Sequence, residues 1–273
     1  RVVCAVSAHP QYSRSPPGSQ GGITVLYLAV SPREAQDAAR YPCRLAYAAY
    51  RMGPESGLLR QSLPLNTQGG LLLLSDREAP PLPDPEALAA ALERECLRRG
   101  FLGAVLDFEA APREDLRALA QSLGDRFPRR RWPLYLPEPY AAPGGTVLLN
   151  SAVSGGDLGQ YLREGKQRWH QAALDLQRLR MDFPLPCPSG EGTPLSADEL
   201  DTLLRKEPAV FFSQALCARY FTYRKGSETR FVLFDDATTL RRKLRIARES
   251  GIPDALCVYP EVQDLLPRLF PGK

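Results

Sequence analysis

Histidine is almost absent from this sequence of 273 residues, which contains only His9 and His170. A His-rich metal site is therefore not expected, and a Ser–His–Asp triad would have to use one of these two residues. Neither is accompanied by the Gly-x-Ser-x-Gly pattern of a nucleophile elbow. The six cysteines are widely separated and never lie at metal-ligand spacing, which is typical of reduced, mostly buried thiols and favours a reducing compartment. The sequence thus gives no indication of a metal site built from histidine or cysteine.

Long apolar runs are also missing, since none approaches the roughly 18 residues that a membrane-spanning helix needs. No charged-then-apolar leader is visible either, so we expect a soluble chain, with its compartment and oligomeric state left open. The net charge is only +4. Basic clusters at Arg129–Arg131 and Arg241–Lys243 lack the interleaved aromatic and glycine residues of a nucleic-acid interface, so they indicate solvated surface.

A repeated alternation of strand and helix patterns is what the sequence does contain. Eight apolar, β-rich runs occur at Ile23–Val30, Arg44–Met52, Leu71–Leu74, Ala104–Phe108, Trp132–Leu136, Thr146–Val153, Ala172–Leu179 and Ala255–Tyr259. Helical patterns occur at Pro85–Arg98, Arg113–Phe127, Gly155–Trp169, Ser196–Lys206 and Thr238–Ser250. Alternation of this kind predicts a parallel sheet. Eight strands in a chain near the usual 250 residues predict closure into a (β/α)₈ (TIM) barrel.

One region interrupts that rhythm, because about 75 residues separate the seventh and eighth runs. It contains the capping-box helix at Ser196–Lys206 and two strand patterns, Arg219–Tyr223 and Arg230–Phe234, around a Lys-Gly-Ser turn. We therefore predict a small α+β insertion at about residues 188–236 within one barrel domain, residues 23–273. Residues 1–22 end in a Pro/Ser/Gly-rich stretch and are predicted to be an N-terminal loop.

The sharpest chemical signal is a pair of acids, Asp107 and Glu109, at the end of the fourth run. Residues two apart on a strand share a face, so both carboxylates are predicted at the carboxyl-end mouth of the barrel, where barrel enzymes place their active sites. Neighbouring carboxylates repel each other, which raises the pKa of one of them and suits glycoside cleavage. The alternative is that the two acids only mark the end of a strand.

This stretch resembles the fourth-strand motif D-G-x-D-x-D-x-E of glycoside hydrolase family 18. Gly103, Asp107 and Glu109 match the motif, whereas Leu102 and Val105 replace its first two acids. Further segments resemble the family in order: residues 24–28, residues 44–50, residues 71–75, residues 221–226 and residues 231–237. The resemblance implies a (β/α)₈ barrel, often with an insertion after the seventh strand.

The same resemblance implies hydrolysis of a polymer that contains N-acetylglucosamine, of the chitin or bacterial peptidoglycan type, with no cofactor. Glu109 would be the general acid, and Asp107 would orient the N-acetyl group that acts as nucleophile. Two family features are replaced. Leu148–Ser154 stands where Met-x-Tyr-Asp is usual, and Cys257–Glu261 lacks the tryptophan of the last strand. A barrel that binds glycan or a protein partner without cleaving it is therefore the second hypothesis. An unrelated barrel enzyme is the third, because this fold hosts many chemistries.

Further residues at predicted strand ends are candidates for substrate binding. They are Tyr259, Asp182, Glu138, Tyr140, Ser75, Asn150 and Tyr47. Tyrosines can stack on sugar rings, and the polar side chains can bind hydroxyl groups. Each of these residues also has a purely structural explanation as a core, rim or loop residue.

Overall fold

The computed structural model describes residues 25–62 and 67–270, so the predicted N-terminal loop lies outside the described residues. The strands are β1 (Val25–Val30), β2 (Arg44–Met52), β3 (Leu58–Arg60), β4 (Leu71–Ser75), β5 (Ala104–Asp107), β6 (Leu134–Pro137), β7 (Thr146–Asn150), β8 (Ala172–Asp175), β9 (Arg180–Leu185), β10 (Thr193–Pro194), β11 (Phe211–Ser213), β12 (Ala218–Lys225), β13 (Glu228–Phe234) and β14 (Asp254–Val258). The helices are α1 (Ala35–Ala38), α2 (Pro85–Arg99), α3 (Glu114–Arg126), α4 (Leu158–Arg168), α5 (Ala197–Leu204), α6 (Ala237–Glu249), α7 (Tyr259–Val262) and α8 (Leu266–Leu269). Short 3₁₀ turns lie at Pro54–Ser56, Pro128–Arg130 and Glu138–Tyr140.

Eight parallel strands close into a barrel, which confirms the predicted (β/α)₈ fold. Their order is β1-β14-β8-β7-β6-β5-β4-β2, and pairing of β1 with β2 completes the circle. The short strand β3 adds an antiparallel edge to β2. Among the described residues, no helix is long and apolar enough to cross a bilayer.

The barrel strands are buried on both faces, as their continuously apolar sequences predict. Inward side chains fill the barrel interior, called the lumen here, and they include Tyr27, Ala46, Leu71, Leu73, Val105, Tyr135, Ala173 and Leu256. Outward side chains pack against the helices in a larger core. Full burial of a leucine contributes about 1.5–3 kcal/mol, so these two layers supply most of the stabilisation.

Two glycines lie in the segment between α2 and β5, where the backbone has to turn and then pass close to its neighbour. Gly100 ends α2 in the left-handed conformation, with φ of 70°, which a side chain would strain. Gly103 lies against the carbonyl oxygen of Pro133, which would stand 2.3 Å from an added Cβ atom. The backbone therefore comes close enough for β5 and β6 to pair. This pairing fixes the position of Asp107 at the carboxyl end of β5.

The interruption between β8 and β14 forms a separate antiparallel sheet, with strand order β10-β9-β13-β12-β11. Helix α5 covers one face through Leu200, which packs with Phe221 and Val232. This confirms the α+β insertion between the seventh and eighth barrel strands. The sheet begins at Arg180, earlier than the predicted residue 188, because β9 pairs with the distant β13 and that pairing leaves no local sequence pattern.

The chain enters and leaves this insertion at one place, called the neck here. Leu179 and Asp235 exchange two hydrogen bonds: the Asp235 N–H donates to the Leu179 carbonyl at 2.9 Å, and the Leu179 N–H donates to the Asp235 side chain, at Oδ2, at 2.9 Å. Lys243 Nζ donates to the same carboxylate at 2.7 Å, and both side chains of this ion pair are fully buried. The ion pair therefore ties the insertion to helix α6.

Candidate active site

The carboxyl ends of the barrel strands form a layer of lumen-facing residues at the mouth. Strand side chains alternate, and the preceding lumen residues Leu73, Val105, Leu148, Ala173 and Leu256 fix the direction of the residues two positions further on. The layer therefore includes Ser75, Asp107, Asn150, Asp175 and Val258. Val258 is 47% exposed although it ends a central strand, so solvent reaches the middle of the mouth.

Asp107 is the half-buried end of β5, and its electrostatic surroundings are unusual. Burial first, and the negative charges of Glu109 and Asp76 in addition, together raise the pKa of its carboxyl to about 6. An aspartate that titrates near neutral pH can exchange a proton under physiological conditions. The charge of Glu109, two residues further on, is the second cause of this shift, after burial.

Asp76 fixes the position of Glu109. Its buried carboxylate accepts hydrogen bonds from the backbone N–H groups of Glu109, at 3.0 Å, and Ala110, at 3.1 Å. The two bonds hold the chain just beyond β5, so that the exposed Glu109 side chain begins from a fixed backbone. Sequence reasoning missed this role of Asp76, although its place directly after an apolar strand was an available signal.

Asp175 is the second acid that the sequence analysis missed. It ends β8 in Ala-Ala-Leu-Asp, a pattern close to the Ala-Val-Leu-Asp that ends in Asp107. The pKa of Asp175 is raised to about 7, by burial first and by the charges of Asp107, Glu261 and Glu109 in addition. The hydrogen bond that Gln177 donates to Asp175, at 2.7 Å, acts in the opposite direction.

Among the predicted binding residues, the structure brings Ser75 and Asn150 to the mouth together with the acids. Ser75 is the register partner of Asp107, and Asn150 is the register partner of Asp175. The Asn150 Oδ1 atom accepts a hydrogen bond from the Ala152 N–H at 2.6 Å, which turns the chain out of β7.

The other predicted binding residues lie away from this layer. Tyr47 and Tyr259 are buried in the core outside the barrel, and Tyr47 packs on the ring of Phe101. Tyr140 is buried, where its hydroxyl accepts a hydrogen bond from the backbone N–H of residue 113. Glu138 pairs with Arg168 at 2.8 Å on the outer side.

Asp182 lies in the insertion and is buried there. Arg230 donates to it from Nε and Nη2, at 3.0 to 3.2 Å, and the Tyr223 hydroxyl donates at 2.9 Å. Its carboxylate therefore already has three donor atoms. Across residues 25–62 and 67–270, no group of three or more His, Cys, Asp or Glu side chains could hold a metal ion.

The fold and this site define a class: a (β/α)₈ barrel with an insertion after the seventh strand and interacting carboxyls at its mouth. Neither a protein-family model nor a curated protein matches the sequence. Solved structures do match the fold. The Bacillus cereus spore cortex-lytic enzyme SleL is 15% identical, with a TM-score of 0.64 over 92% of this chain and 75% of that one.

Two chitinases give similar results. The chitinase of Chromobacterium violaceum is 13% identical, with a TM-score of 0.62 over 90% of this chain and 98% of that one. The family 18 chitinase of Cycas revoluta is 13% identical, with a TM-score of 0.60 and the same coverage, 90% and 98%. This chain therefore has the fold of family 18 glycoside hydrolases, at very low sequence identity.

Proposed function

We propose that this chain is a glycoside hydrolase that cleaves an N-acetylglucosamine-containing polysaccharide of the chitin or peptidoglycan type. The observation that carries the proposal is the Asp107–Glu109 pair at the mouth of a barrel whose fold chitinases and a cortex-lytic enzyme share. The raised pKa of Asp107, about 6, adds support because it places a proton-exchanging carboxyl beside Glu109.

In the proposed retaining mechanism, Glu109 protonates the glycosidic oxygen as the bond to the leaving group breaks. The carbonyl oxygen of the substrate's own N-acetyl group attacks the anomeric carbon from the opposite side. Asp107 accepts a hydrogen bond from the N–H of that acetamido group and so orients it. Water then opens the cyclic intermediate, with Glu109 accepting the proton. Asp76 holds the backbone at Glu109 during both steps.

The test is release of a fluorophore from short N-acetylglucosamine oligomers between pH 4 and 8. Glu109→Gln removes the transferable proton, so we expect kcat to fall by about 100- to 10,000-fold. The exposed position predicts a change in unfolding free energy within about 0.5 kcal/mol. Glu114→Gln is the matched control, because Glu114 is an exposed glutamate at the start of α3. Equal activity in both variants would refute the assigned role of Glu109.

A second candidate function is a barrel that binds glycan or a protein partner without cleavage. It is supported by Val105, which occupies the place of an acid in the family motif and is buried among apolar lumen side chains. Val258, rather than an aromatic side chain, ends β14 at the mouth. If the folded wild-type protein releases no fluorophore at any pH, calorimetric titration with the same oligomers distinguishes a binding barrel from an inert one.

A further inference from the structure

Helix α6 divides the basic cluster Arg241–Lys243 between the core and the solvent. Lys243 is fully buried, whereas Arg241 and Arg242 are exposed. The prediction of solvated surface is therefore correct for the two arginines and wrong for the lysine, because the inner side of the helix needs Lys243 for the ion pair of the neck.

Three arginines lie in a line on the outer side of α6. An α-helix has about 3.6 residues per turn, so Arg241, Arg245 and Arg248 share one side of it, and all three are exposed. The buried residues of the helix, such as Leu240 and Ala247, lie on the opposite side. The three residues, called the arginine row here, extend over about 10 Å of the helix.

The arginine row is not neutralised by neighbouring acids. Among the described residues, no ion pair and no side-chain hydrogen bond includes Arg241, Arg245 or Arg248. Within Ala237–Glu249, four exposed arginines are accompanied by one acid, Glu249, so the outer surface of α6 has three excess positive charges. The whole chain carries a net charge of only +4.

This charge pattern does not stabilise the helix. Like charges three or four residues apart repel each other, whereas a solvated helix side usually alternates acids with bases. The stabilising features of α6 lie elsewhere, in its buried side and in the capping box of Asp236 and Thr239. The arginine row therefore fits a surface that receives an external anion.

The basic surface continues onto the neighbouring helix α4. A Cβ atom added at Gly159 would lie 3.1 Å from Arg163 Nη1 and 3.6 Å from Ile246 Cγ2, so Arg163 lies beside α6. Arg163 is exposed, and no ion pair in the described part of the chain includes it. Glu164, the acid of α4, accepts a hydrogen bond from Gln160 at 2.8 Å.

The same surface lacks apolar side chains that could enter a membrane. None of the large hydrophobic residues that are exposed in residues 25–62 and 67–270 belongs to α4 or α6. A helix that lies in a membrane surface buries an apolar side there. A soluble anionic polymer is therefore a better match than a lipid bilayer.

Helix α6 also lies next to the mouth. Lys243, on its inner side, donates to the carbonyl of Ser151 at 3.1 Å, and Ser151 directly follows the mouth residue Asn150. The acids Asp107 and Glu109 repel carboxylates from the mouth itself. The acidic groups of a polymer that is bound there would meet positive charge on the adjoining outer wall.

We propose that the arginine row, together with Arg163, binds the carboxylates of an acidic polysaccharide. The fork of an arginine guanidinium matches a carboxylate, and a row of this length can contact successive acidic groups of one linear polymer. The inference rests on the proposed glycan hydrolysis, and it assigns that activity to an acidic polymer rather than to neutral chitin.

The test compares two soluble derivatives of one N-acetylglucosamine polymer: carboxymethyl chitin, which is acidic, and glycol chitin, which is neutral. Calorimetric titrations use the Glu109→Gln background, so that the polymer is not cleaved. We expect the acidic polymer to bind about 10-fold more tightly at low salt, and this preference should shrink as salt screens the charges. Combined replacement of Arg241, Arg245 and Arg248 by Gln should abolish the preference.

The matched control replaces Arg33, Arg94 and Arg129 by Gln in the same background. These arginines are exposed, belong to other parts of the surface, and form no ion pair with a described residue. The control therefore loses the same net charge and should keep the preference for carboxymethyl chitin. An equal loss in both triple variants would overturn the inference, because net charge alone would then explain the binding.

A single replacement separates binding from helix stability. Arg245→Glu places an acid four residues after Arg241 and three before Arg248, where opposite charges attract. The preference for the acidic polymer should disappear, whereas the unfolding temperature should stay the same or rise. A loss of the preference that comes with a lower unfolding temperature would indicate a structural role and contradict the assignment.

Other partners and the proposed function are tested separately. Row-dependent binding to phosphatidylglycerol vesicles or to duplex DNA, without a preference for carboxymethyl chitin, would overturn the assigned ligand. Fluorophore release from short neutral oligomers, measured with Glu109 intact, should be the same with and without the arginine row. If hydrolysis is absent but row-dependent binding is present, the proposed function fails and the binding surface stands. Hydrolysis without row-dependent binding gives the reverse conclusion.

Discussion

The neck of the insertion and the mouth of the barrel both contain carboxyls that are shielded from bulk water, but the charged neighbours of these carboxyls differ. At the neck, Asp235 is paired with Lys243, and in the adjoining insertion sheet Asp182 is paired with Arg230. Within residues 25–62 and 67–270, no ion pair includes Asp107 or Asp175. The acids of the neck and of the insertion sheet thus lie in ion pairs that connect structural elements, whereas burial and, in addition, neighbouring negative charges raise the pKa of the acids at the mouth.

The strongest way to break this comparison is to remove the cation at the neck. Lys243→Met leaves the fully buried Asp235 without its charge partner, so we expect the unfolding free energy to fall by about 3–5 kcal/mol. Urea unfolding at neutral pH measures it. Lys225→Met, at an exposed lysine that ends β12, is the control. Similar losses of unfolding free energy in the two variants would show that the buried ion pair does not stabilise the neck.

A smaller effect is expected in the insertion sheet. Asp182→Asn weakens the charged hydrogen bonds from Arg230, whose side chain is 14% exposed, so stability should fall by about 1–3 kcal/mol. Thermal unfolding beside Asp198→Asn, an exposed aspartate on α5, measures the difference. If both variants unfold at the same temperature, Asp182 is not a structural ion-pair residue, and its candidacy for substrate binding gains weight.

The smallest expected effect is a change of stability with pH. Here the replacement favours stability as the pH rises, whereas the two replacements above lower it. An unfolded aspartate ionises near pH 4, whereas folded Asp175 keeps its proton to about 7, so the folded chain binds more protons between these values. Wild-type stability should therefore fall, relative to Asp175→Asn, as the pH rises from 4 to 8. The residue is half-buried, so we expect a relative change of about 1–2 kcal/mol. Parallel urea curves at pH 4 and pH 8 measure it, and a constant difference would contradict the raised pKa.

The elements of the fold were accessible from the sequence because their signals are local. Ser196 and Glu199 form the predicted capping box of α5, and Gly251 follows α6 as a helix stop. The predicted β-hairpin is confirmed by the antiparallel pairing of β12 with β13. The position of Asp107 as the last residue of β5, with Glu109 two residues beyond it, follows from the same local pattern.

Which residues line the mouth was harder to predict from the sequence, because the lumen-facing and the outward-facing residues of these strands are equally apolar. In Leu71–Leu74, nothing distinguishes the side chains that enter the lumen from those that face the helices. A shift of one residue exchanges the two faces, and this decides that Val258 rather than Tyr259 ends β14 at the mouth. The cation beside Asp182 is 48 residues away in sequence, so no spacing rule could reveal it.

The closed neck makes the insertion a segment that protein engineering could exchange. Because Leu179 and Asp235 are hydrogen-bonded to each other, the ends of the 180–234 segment already meet, and a short turn could join them at little cost in loop-closure entropy. The segment is thus topologically an exchangeable cassette. A laboratory graft could therefore lengthen, shorten or replace it beside the mouth while the eight-stranded scaffold and its acids stay in register.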